Sequence, residues 1–540
     1  MNWQSDITNT RPLTLLDTMR KAVMKLLTNR LSKIMARHNV LKGNNFAGLP
    51  GGSIEIPIKL MHMVLEDAKE NNKPVWILLQ DLSKAYDRVD LSILRQAMER
   101  VKIPALCISF ILDFFTHRKN AVLTKGGISD FYDVKIGIDQ GEVISPLLWC
   151  IYFDPLLCEI NQLRKGYNLT HTWMSNVSQG TQQQLQTQIA ALGFMDDANW
   201  ISSSIEDLEA ILEVADNFYL LTRAAINKKK SKLLTNTTTS TEPIPLHFGP
   251  AVIPIQPCFD AVRFLGVMIN IHLNHSLVKK ELHAHIRRFI NVTKTKPITD
   301  KQFSYITNHV LFPQLLYKMR NTPLSKSTCV RLNQSVRSLF KHKCRFPKTA
   351  PNDVFHSKMF YNLNDLWTEQ IGEISTALLN QFNTPFSLLF RASVIRLFQL
   401  QKLELAPTSP LVCWTPLKNF RHYRYNNIAA HLFLLNHADI RLSLRCNTFL
   451  SNQIIGGNKA LKDMLPPSFL RRFSAILGKY NLVYQEQFTS ADGYNLCSWS
   501  QFTKRPFALH ISTQRPPNFF KNYNGCWRMT QRYIMYKCLT

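Results

Sequence analysis

The chain has 540 residues, 45% of them hydrophobic and 19% charged, a composition that predicts several folded domains and excludes a disordered chain. Lysine and arginine number 65 against 37 aspartate and glutamate residues, and the net charge of +28 favours a polyanionic partner, either nucleic acid or an anionic membrane. The 11 cysteines include no C-x-x-C pair, which argues against zinc ribbons and secreted disulfide scaffolds and favours a reducing compartment.

Predicted helices and loops alternate at the start of the chain. Residues 17–40 place apolar residues at helical spacing with basic residues between them, which predicts an amphipathic helix with a positive face. A loop rich in glycine and proline follows at 44–53, and a second helix runs through 58–70. The apolar run at 74–82 predicts a buried strand that ends near Asp81.

No membrane span or signal peptide is predicted. The apolar stretch 103–115 is too short to cross a bilayer, and the N-terminus lacks an apolar core, so we expect an intracellular protein of the nucleus or cytoplasm. Residues 121–138 predict two strands joined by a glycine turn, and Ser145 is the expected cap of a helix that opens with proline. The polar, glutamine-rich segment 161–188 predicts a loop or a mobile insertion.

Two adjacent aspartates, Asp196 and Asp197, interrupt the apolar stretch ALGFMDDANWIS at 191–202. Burying unpaired charges in a strand is costly, so this stretch predicts a tight hairpin with both carboxylates at its tip. If the strand at 74–82 lies beside this hairpin, Asp81 joins the pair at one edge of the sheet. Three carboxylates that close repel one another unless multivalent cations neutralise them, and hard oxygen ligands suit Mg²⁺. An aspartate pair by itself is more often a surface turn.

Six blocks in a fixed order give the chain a resemblance to a known family. The blocks are RPLTLL at 11–16, LLQDLSKAYDRVD at 78–90, GIDQGEVISPLLW at 137–149, FMDDA at 194–198, INKKKS at 226–231 and RFLGV at 263–267. In these blocks the sequence resembles the reverse transcriptases, particularly the polymerases of non-LTR (LINE-like) retrotransposons. The resemblance covers roughly the first half of the chain.

The resemblance implies an α+β fold of the right-hand polymerase type, with fingers, a palm built on a helix-backed antiparallel sheet, and a helical thumb. The beginning of the chain suggests truncated fingers and a fragment of a longer element that lacks an upstream endonuclease. The implied bounds are 1–74 for the fingers, 75–274 for the palm with a fingers insertion near 103–134 and the polar insertion at 161–188, 275–395 for a helical thumb-like region, and 396–540 for a mostly helical C-terminal region of unknown role.

The same resemblance implies RNA-directed DNA synthesis, with an RNA template, a DNA primer and dNTPs as partners. The primer 3′-hydroxyl would attack the α-phosphate of the incoming nucleotide, and pyrophosphate would leave. Two Mg²⁺ ions are the implied cofactors, with Mn²⁺ as an alternative. Their implied ligands are the carboxylates of Asp81, Asp196 and Asp197 and the backbone carbonyl of Leu82.

Further site residues follow from the resemblance alone. Tyr86 matches the steric gate that leaves no room for a 2′-hydroxyl. Lys230 matches a residue that protonates pyrophosphate, with Lys228 and Lys229 as alternatives. The other implied nucleotide contacts are Arg11, Gln140 and Gly141, and the implied primer contacts are Phe264, Leu265 and Gly266.

Three positions depart from the family pattern. Met195 stands where alanine or valine is usual, and Asp139 and Glu142 replace a proline and a small residue around Gln140. Two extra carboxylates near a triphosphate would oppose nucleotide binding unless they point away from it.

Two basic segments follow the predicted palm. The histidine-rich stretch 272–289 predicts a basic helix that contacts phosphates rather than a metal site, because His283 and His285 cannot share a helix face. The segment 337–348 interleaves basic residues with phenylalanines, which predicts a surface that follows a nucleic-acid backbone and stacks on bases.

Two other functions remain open at the level of the sequence. An RNA-directed RNA polymerase shares the palm carboxylates, but Tyr86 would clash with a 2′-hydroxyl. A degenerate element remnant that binds nucleic acid without catalysis is the second, and the three intact aspartates argue against it.

Overall fold

The computed structural model describes most of the chain as two compact units. The first comprises Met1–Asn168 and Gln188–Asn274, and the second comprises Leu169–Thr187 and His275–Thr540. None of the described helices is both long enough and apolar enough to cross a membrane. The described residues are 13–124, 126–226, 231–385, 387–412, 414–423, 425–444, 450, 452–490, 495–508, 516, 518 and 520–523.

Helices predicted from periodicity in the first unit are confirmed. The amide groups of Met19 and Arg20 donate to the Asp17 carboxylate at the start of the first helix, and Asp90 caps the third. The described part of this unit contains the helices α1 (Thr18–Arg37), α2 (Glu55–Glu70), α3 (Leu91–Arg100), α4 (Ala105–Asp113), α5 (Ser145–Leu163) and α6 (Ile205–Thr222).

The described strands form short antiparallel pairs and one larger sheet. They are β1 (Trp76–Gln80), β2 (Leu82–Ser83), β3 (Arg118–Asn120), β4 (Leu123–Thr124), β5 (Gly127–Ile128), β6 (Tyr132–Val134), β7 (Tyr167–Asn176), β8 (Thr181–Ile189), β9 (Ala191–Phe194), β10 (Asp197–Ser202), β11 (Ala225–Ile226), β12 (Lys232–Thr235), β13 (Ile244–Phe248), β14 (Ala251–Ile255), β15 (Val262–Phe264) and β16 (Val267–Ile269).

The larger sheet has four strands in the order β12-β1-β10-β9, and all its described pairings are antiparallel. Every residue of β1 is buried, as the apolar run at 74–82 predicts. Successive side chains of a strand point to opposite faces, so Trp76 and Leu78 pack into the main core while Ile77 and Leu79 are buried on the other face. Helix α6 packs against β10, and helices α2 and α5 pack against β9.

The prediction of a loop at 161–188 is wrong. β7 and β8 pair with each other in a two-stranded sheet that occupies most of this segment. In β7 the residues Tyr167, Leu169, His171 and Trp173 alternate as buried positions, whereas most of the glutamine-rich β8 is exposed. Backbone pairing does not need apolar side chains on an exposed face, so the polar composition of β8 concealed a strand.

Helices dominate the second unit, and the helical pattern predicted from 275 to 395 is confirmed. A second apolar core gathers residues between Leu405 and Tyr523, together with Met174 and Val177. The described helices are α7 (Ser276–Lys294), α8 (Asp300–Ile306), α9 (Phe312–Met319), α10 (Lys326–Lys343), α11 (Asn352–His356), α12 (Leu366–Phe382), α13 (Leu388–Leu403), α14 (Phe420–Tyr423), α15 (Asn427–His437), α16 (Leu461–Met464), α17 (Pro467–Lys479) and α18 (Trp499–Thr503).

Candidate active site

Asp81, Asp196 and Asp197 lie at one end of the four-stranded sheet. β1 pairs with β10 so that Gln80 is opposite Ala198, and Asp81 therefore follows β1 at the level of Asp197. In the β9–β10 hairpin Phe194 pairs with Asp197, which leaves Met195 and Asp196 as a two-residue turn. The neighbouring strands and the tight hairpin predicted from the sequence are confirmed, but of the two adjacent aspartates only Asp196 lies in the turn, because Asp197 is the first residue of β10. The backbone brings all three aspartates to the same end of the sheet.

The three aspartates suit a divalent metal by their chemistry. Among the described residues, no three histidine, cysteine, aspartate or glutamate side chains gather as a metal-binding group. Carboxylates that face one another repel until a cation lies between them. The hard oxygen donors of Asp81, Asp196 and Asp197 match the ligand preference of Mg²⁺.

The turn that carries Asp196 is held by contacts from three distant segments. Met195 adopts a left-handed φ of +55°, which is sparsely populated for a residue other than glycine. Its carbonyl accepts hydrogen bonds from Trp149 Nε1 at 2.8 Å and from Asn45 Nδ2 at 3.3 Å. Its Sδ lies 3.7 Å from the hydroxyl of Tyr86. The surrounding structure therefore fixes an unusual backbone conformation immediately before Asp196.

The loop at 44–53 covers the free edge of β9. Gly193 donates to the carbonyl of Asn44 at 2.8 Å and accepts from the amide of Phe46 at 2.9 Å. An exposed strand edge invites unwanted pairing, and this loop removes that edge while it delivers Asn45 to the turn. Sequence reasoning identified the loop but not Asn45, because a glycine- and proline-rich stretch carries no signal of its partner 150 residues away.

Leu82 lies beside the aspartates with its side chain buried at 2% exposure. Its short strand β2 pairs with β11, where Leu82 faces Ile226. With the side chain in the core, the backbone is the part of Leu82 that can contribute to a polar site.

A cavity of about 350 Å³ adjoins the turn. It brings together four residues that the sequence predicted for one site: Tyr86, Gln140, Gly141 and Asp196. Lys84 lines the same cavity and adds a positive charge that sequence reasoning did not single out. The cavity thus joins one of the sheet-end carboxylates to the predicted nucleotide contacts.

Residues 137–142 form one wall of the cavity, and backbone hydrogen bonds hold this segment to Thr14 on one side and to Tyr86 on the other. The carbonyl of Gln140 accepts from the amide of Thr14 at 2.9 Å, and the amide of Ile138 donates to the carbonyl of Tyr86 at 2.9 Å. Gly141 has a φ of +131°, and a Cβ atom there would lie 2.6 Å from the carbonyl oxygen of Thr14. A glycine is therefore required at 141 by both conformation and space.

Tyr86 is fixed between the cavity and the core. Its ring centroid lies 5.7 Å from that of Trp149, which in turn stacks on Phe153 at 5.4 Å. Burial, and then the nearby Asp196 carboxylate, raise the pKa of Tyr86 above its ordinary value, so its phenol stays neutral.

Asp139 and Glu142 do not present free carboxylates to the cavity that they line. Asp139 pairs with Arg118 at 2.6 Å and with Arg20 at 3.2 Å, and Glu142 pairs with Arg20 at 2.6 Å. Ser145, expected to cap α5, is instead its first residue, and its hydroxyl donates to the carbonyl of Asp139 at 2.9 Å. Sequence reasoning missed both arginines. Arg20 is 119 and 122 residues from its two partners, and no motif links Arg118 to Asp139, 21 residues away.

The first half of the chain matches a family model described as "Reverse transcriptase (RNA-dependent DNA polymerase)" over residues 4–269. This part of the chain belongs to the reverse transcriptase family. The match includes the sheet, the hairpin turn and the cavity described above.

Relatives of the reverse transcriptase domain come from mobile elements. The Retrovirus-related Pol polyprotein from the type-1 retrotransposable element R2 of Popillia japonica is 22% identical over 358 residues, which is 65% of this chain and 47% of that protein. The Probable RNA-directed DNA polymerase from transposon X-element of Drosophila melanogaster is 25% identical over 283 residues, or 51% of this chain and 28% of that protein. The chain spans less than half the length of these relatives.

A solved structure also aligns with the chain at low similarity. Telomerase from Candida tropicalis, in complex with a fragment of telomeric RNA, aligns with a TM-score of 0.35 and 13% identity, covering 69% of this chain and 56% of that one. The family assignment depends on the sequence matches.

The predicted primer contacts are not among the described residues that line the cavity. Phe264 is the last residue of β15, and Leu265 and Gly266 form the turn to β16. These two strands form a separate two-stranded sheet. Arg11 and Lys228–Lys230 lie outside the described residues.

The two phenylalanines of segment 337–348, predicted to stack on bases, are less exposed than the sequence suggests. Phe340 is fully buried and packs against Phe303 and Phe355, so its predicted stacking role is wrong. Phe346 is 36% exposed, and its ring packs edge-on against Phe355 and Tyr361. The helical period of α10 turns Phe340 toward the core, whereas the basic residues alone suggested a surface.

Proposed function

We propose that the chain is an RNA-directed DNA polymerase that extends a DNA primer along an RNA template with dNTPs. The observation that carries the proposal is the position of Asp196. It lies at the sheet end with Asp81 and Asp197, and it also lines the cavity with Tyr86 and Gln140. A reacting nucleotide in this cavity would have its phosphates beside the aspartates and its sugar beside the tyrosine ring.

The proposed architecture is a right hand. Residues 1–74 belong to the fingers and 75–274 to the palm, whose sheet carries the aspartates. The helices of 275–395 form the thumb, which would contact template and primer. Support for a nucleic-acid partner comes from the net charge of +28. We expect the protein to act in the nucleus or cytoplasm, where thiols such as the described free cysteines stay reduced.

We assign the carboxylates of Asp81, Asp196 and Asp197 and the carbonyl of Leu82 as ligands of divalent metal, expected to be two Mg²⁺ ions. When bound, the ions supply charge neutralisation and Lewis acidity at the oxygens that react. The chain itself presents Asp196 on a fixed turn, because the carbonyl of Met195 is held by Trp149 and Asn45. Geometry fixed in advance lowers the entropic cost of reaching the transition state.

The remaining residues would bind and select the nucleotide and primer. Tyr86, neutral and braced by Trp149, would exclude a 2′-hydroxyl by contact with the sugar. Gln140 and Gly141 would form the wall against base and sugar. Further proposed contacts are Arg11 with the triphosphate, Lys230 as the proton donor to pyrophosphate, and Phe264, Leu265 and Gly266 with the primer end.

Primer extension on an RNA template, with dNTPs or NTPs supplied separately, tests this function. We expect a DNA primer to be extended with dNTPs in the presence of Mg²⁺, and chelation by EDTA to stop the extension. Extension with NTPs instead would support an RNA-directed RNA polymerase. Retained RNA binding without extension of either kind would support a remnant that only binds nucleic acid.

A further inference from the structure

The cavity carries more negative charge than a nucleotide site should tolerate. Its described lining includes the acidic residues Asp87, Asp139, Glu142 and Asp196 and the basic residue Lys84. The side chains of Asp139 and Glu142 are 4% and 0% exposed. Asp196 is assigned to metal, and Asp87 accepts a hydrogen bond from Gln140 Nε2 at 3.4 Å, but Asp139 and Glu142 have no role in metal binding. A triphosphate approaching two additional buried carboxylates would be repelled strongly, because charges in a partly dry site are poorly screened.

The structure compensates both of these carboxylates completely. The two oxygens of Asp139 are shared between Arg118 at 2.6 Å and Arg20 at 3.2 Å. One oxygen of Glu142 accepts from Arg20 Nε at 2.6 Å, and the other accepts from the amide of Val143 at 3.0 Å. All four oxygens therefore have donors, and the two acids and two arginines form a cluster with no net charge.

The two arginines also connect the cavity wall to separate elements. Arg20 extends from α1, donates to the carbonyl of Phe114 at 3.3 Å and lies over the ring of Phe114. Arg118 lies on β3 and donates to the carbonyls of Phe115, Ile136 and Gly137 at 2.7 to 2.9 Å. Its planar guanidinium holds the start of the wall segment from several directions at once, which a lysine cannot reproduce.

Given the proposed polymerase function, we propose that Arg20 and Arg118 are positioning residues that set the affinity of the cavity for the nucleotide triphosphate. They cancel the charge of Asp139 and Glu142, and they hold residues 139–142 so that Gln140 and Gly141 face the nucleotide. The arginines touch the acids of the wall rather than the reacting atoms, so their effect falls on nucleotide affinity more than on the chemical step.

The test is a cycle of Arg20→Met, Glu142→Gln and the double variant, with KM and kcat for dTTP measured by primer extension. Binding of a fluorescent dNTP is measured in parallel. Arg20→Met should raise KM and weaken dNTP binding at least about tenfold, because it leaves Glu142 as a buried charge without its cation. The double variant should return KM to within about threefold of the unsubstituted protein, because the charge is removed with its partner.

Arg95→Met is the matched control, since Arg95 is exposed on α3 and its loss changes the net charge equally. It should leave KM unchanged. If Arg20→Met does not fold, Arg20→Lys replaces it. The lysine keeps the charge but loses the fork that reaches both acids, and its KM should rise at least about threefold and fall again with Glu142→Gln.

An unchanged KM in a folded Arg20→Met or Arg20→Lys protein, or a raised KM that Glu142→Gln does not relieve, would overturn the inference while the polymerase function stands. If the unsubstituted protein neither extends primers nor binds dNTPs, the proposed function fails and this inference fails with it.

Discussion

The indole Nε1 of Trp149 donates a 2.8 Å hydrogen bond to the backbone carbonyl of Met195, the residue before Asp196. Trp149 is 2% exposed on α5, and Met195 is held in a left-handed conformation at the tip of the β9–β10 hairpin. The buried side chain of Trp149 therefore links helix α5 to the backbone that positions the carboxylate of Asp196.

Replacing Trp149 with phenylalanine should slow catalysis without abolishing nucleotide binding. The variant loses the hydrogen bond but keeps an aromatic ring, and we expect kcat to fall about tenfold, which corresponds to one lost hydrogen bond. KM for dTTP should change little. Steady-state primer extension measures both constants.

Trp414→Phe is the control for this prediction. The Nε1 of Trp414 donates to Glu404 at 3.1 Å in the second unit, so its loss removes a comparable buried bond away from the turn. The variant should unfold more easily but retain kcat. A Trp149→Phe protein with unchanged kcat would contradict a positioning role for this bond.

Gly141→Ala should disrupt the nucleotide site, whereas Gly127→Ala should not. The two glycines have nearly equal φ values of +131° and +128°, so an alanine at either position would have the same unfavourable φ. A Cβ atom at 141 would lie 2.6 Å from the oxygen of Thr14, while none of the described atoms lies within 4 Å of one at 127. We expect at least about a tenfold loss of kcat/KM for Gly141→Ala, because the wall must move. Equal kcat/KM for both variants would show that residues 137–142 do not contact the nucleotide.

Tyr86→Ala should relax sugar selection. The ring of Tyr86 lines the cavity, and removing it makes room for a 2′-hydroxyl. We expect incorporation of NTPs relative to dNTPs to rise at least about tenfold, since a pocket closed by a side chain rejects an added hydroxyl by up to about a hundredfold. Single-nucleotide incorporation with dTTP and UTP gives the ratio, and Tyr86→Phe should retain selection. An unchanged ratio of UTP to dTTP incorporation in Tyr86→Ala would show that the sugar of the nucleotide does not contact Tyr86.

Alkaline pH should destabilise the first unit through Tyr152. Burial raises the pKa of Tyr152 to about 12 from its ordinary value of 10.0. Its contribution to stability is therefore complete below pH 10 and is lost as pH rises toward 12, because the unfolded chain loses the proton first. Between about pH 9 and about pH 11 the protein should lose about 1.4 kcal/mol more unfolding free energy than Tyr152→Phe.

Urea unfolding at the two pH values measures this difference. Tyr132→Phe, at a tyrosine that is 49% exposed, is the control and should lose as much stability as the unsubstituted protein. If Tyr152→Phe loses as much unfolding free energy between the two pH values as the unsubstituted protein, the pKa of Tyr152 is not raised by folding.

Local patterns allowed much of the sheet end to be predicted from the sequence. The buried strand at 74–82 and the hairpin around Asp196 and Asp197 depend on neighbours in the chain, and both are present. The hairpin of β7 and β8 was missed because a glutamine-rich strand resembles a loop in composition. Its alternating Tyr167, Leu169 and Trp173 were the available signal.

Long-range contacts could not be predicted. Arg20 is 122 residues from Glu142, and Asn45 is 150 residues from Met195. No periodicity or motif links such partners, since their meeting depends on how the elements pack. The roles of Lys230 and Arg11 remain predictions from the resemblance.

The most direct test of the central claim compares Asp196→Ala with Asp130→Ala, a matched removal of an exposed carboxylate outside the site. Extension of a DNA primer on an RNA template and affinity for the same template–primer are measured for both. We predict that Asp196→Ala reduces extension at least about a thousandfold, because a ligand of the reacting centre is lost, and changes template–primer affinity less than about threefold. Asp130→Ala should match the unsubstituted protein in both. An Asp196→Ala protein that extends primers at the unsubstituted rate would contradict the account.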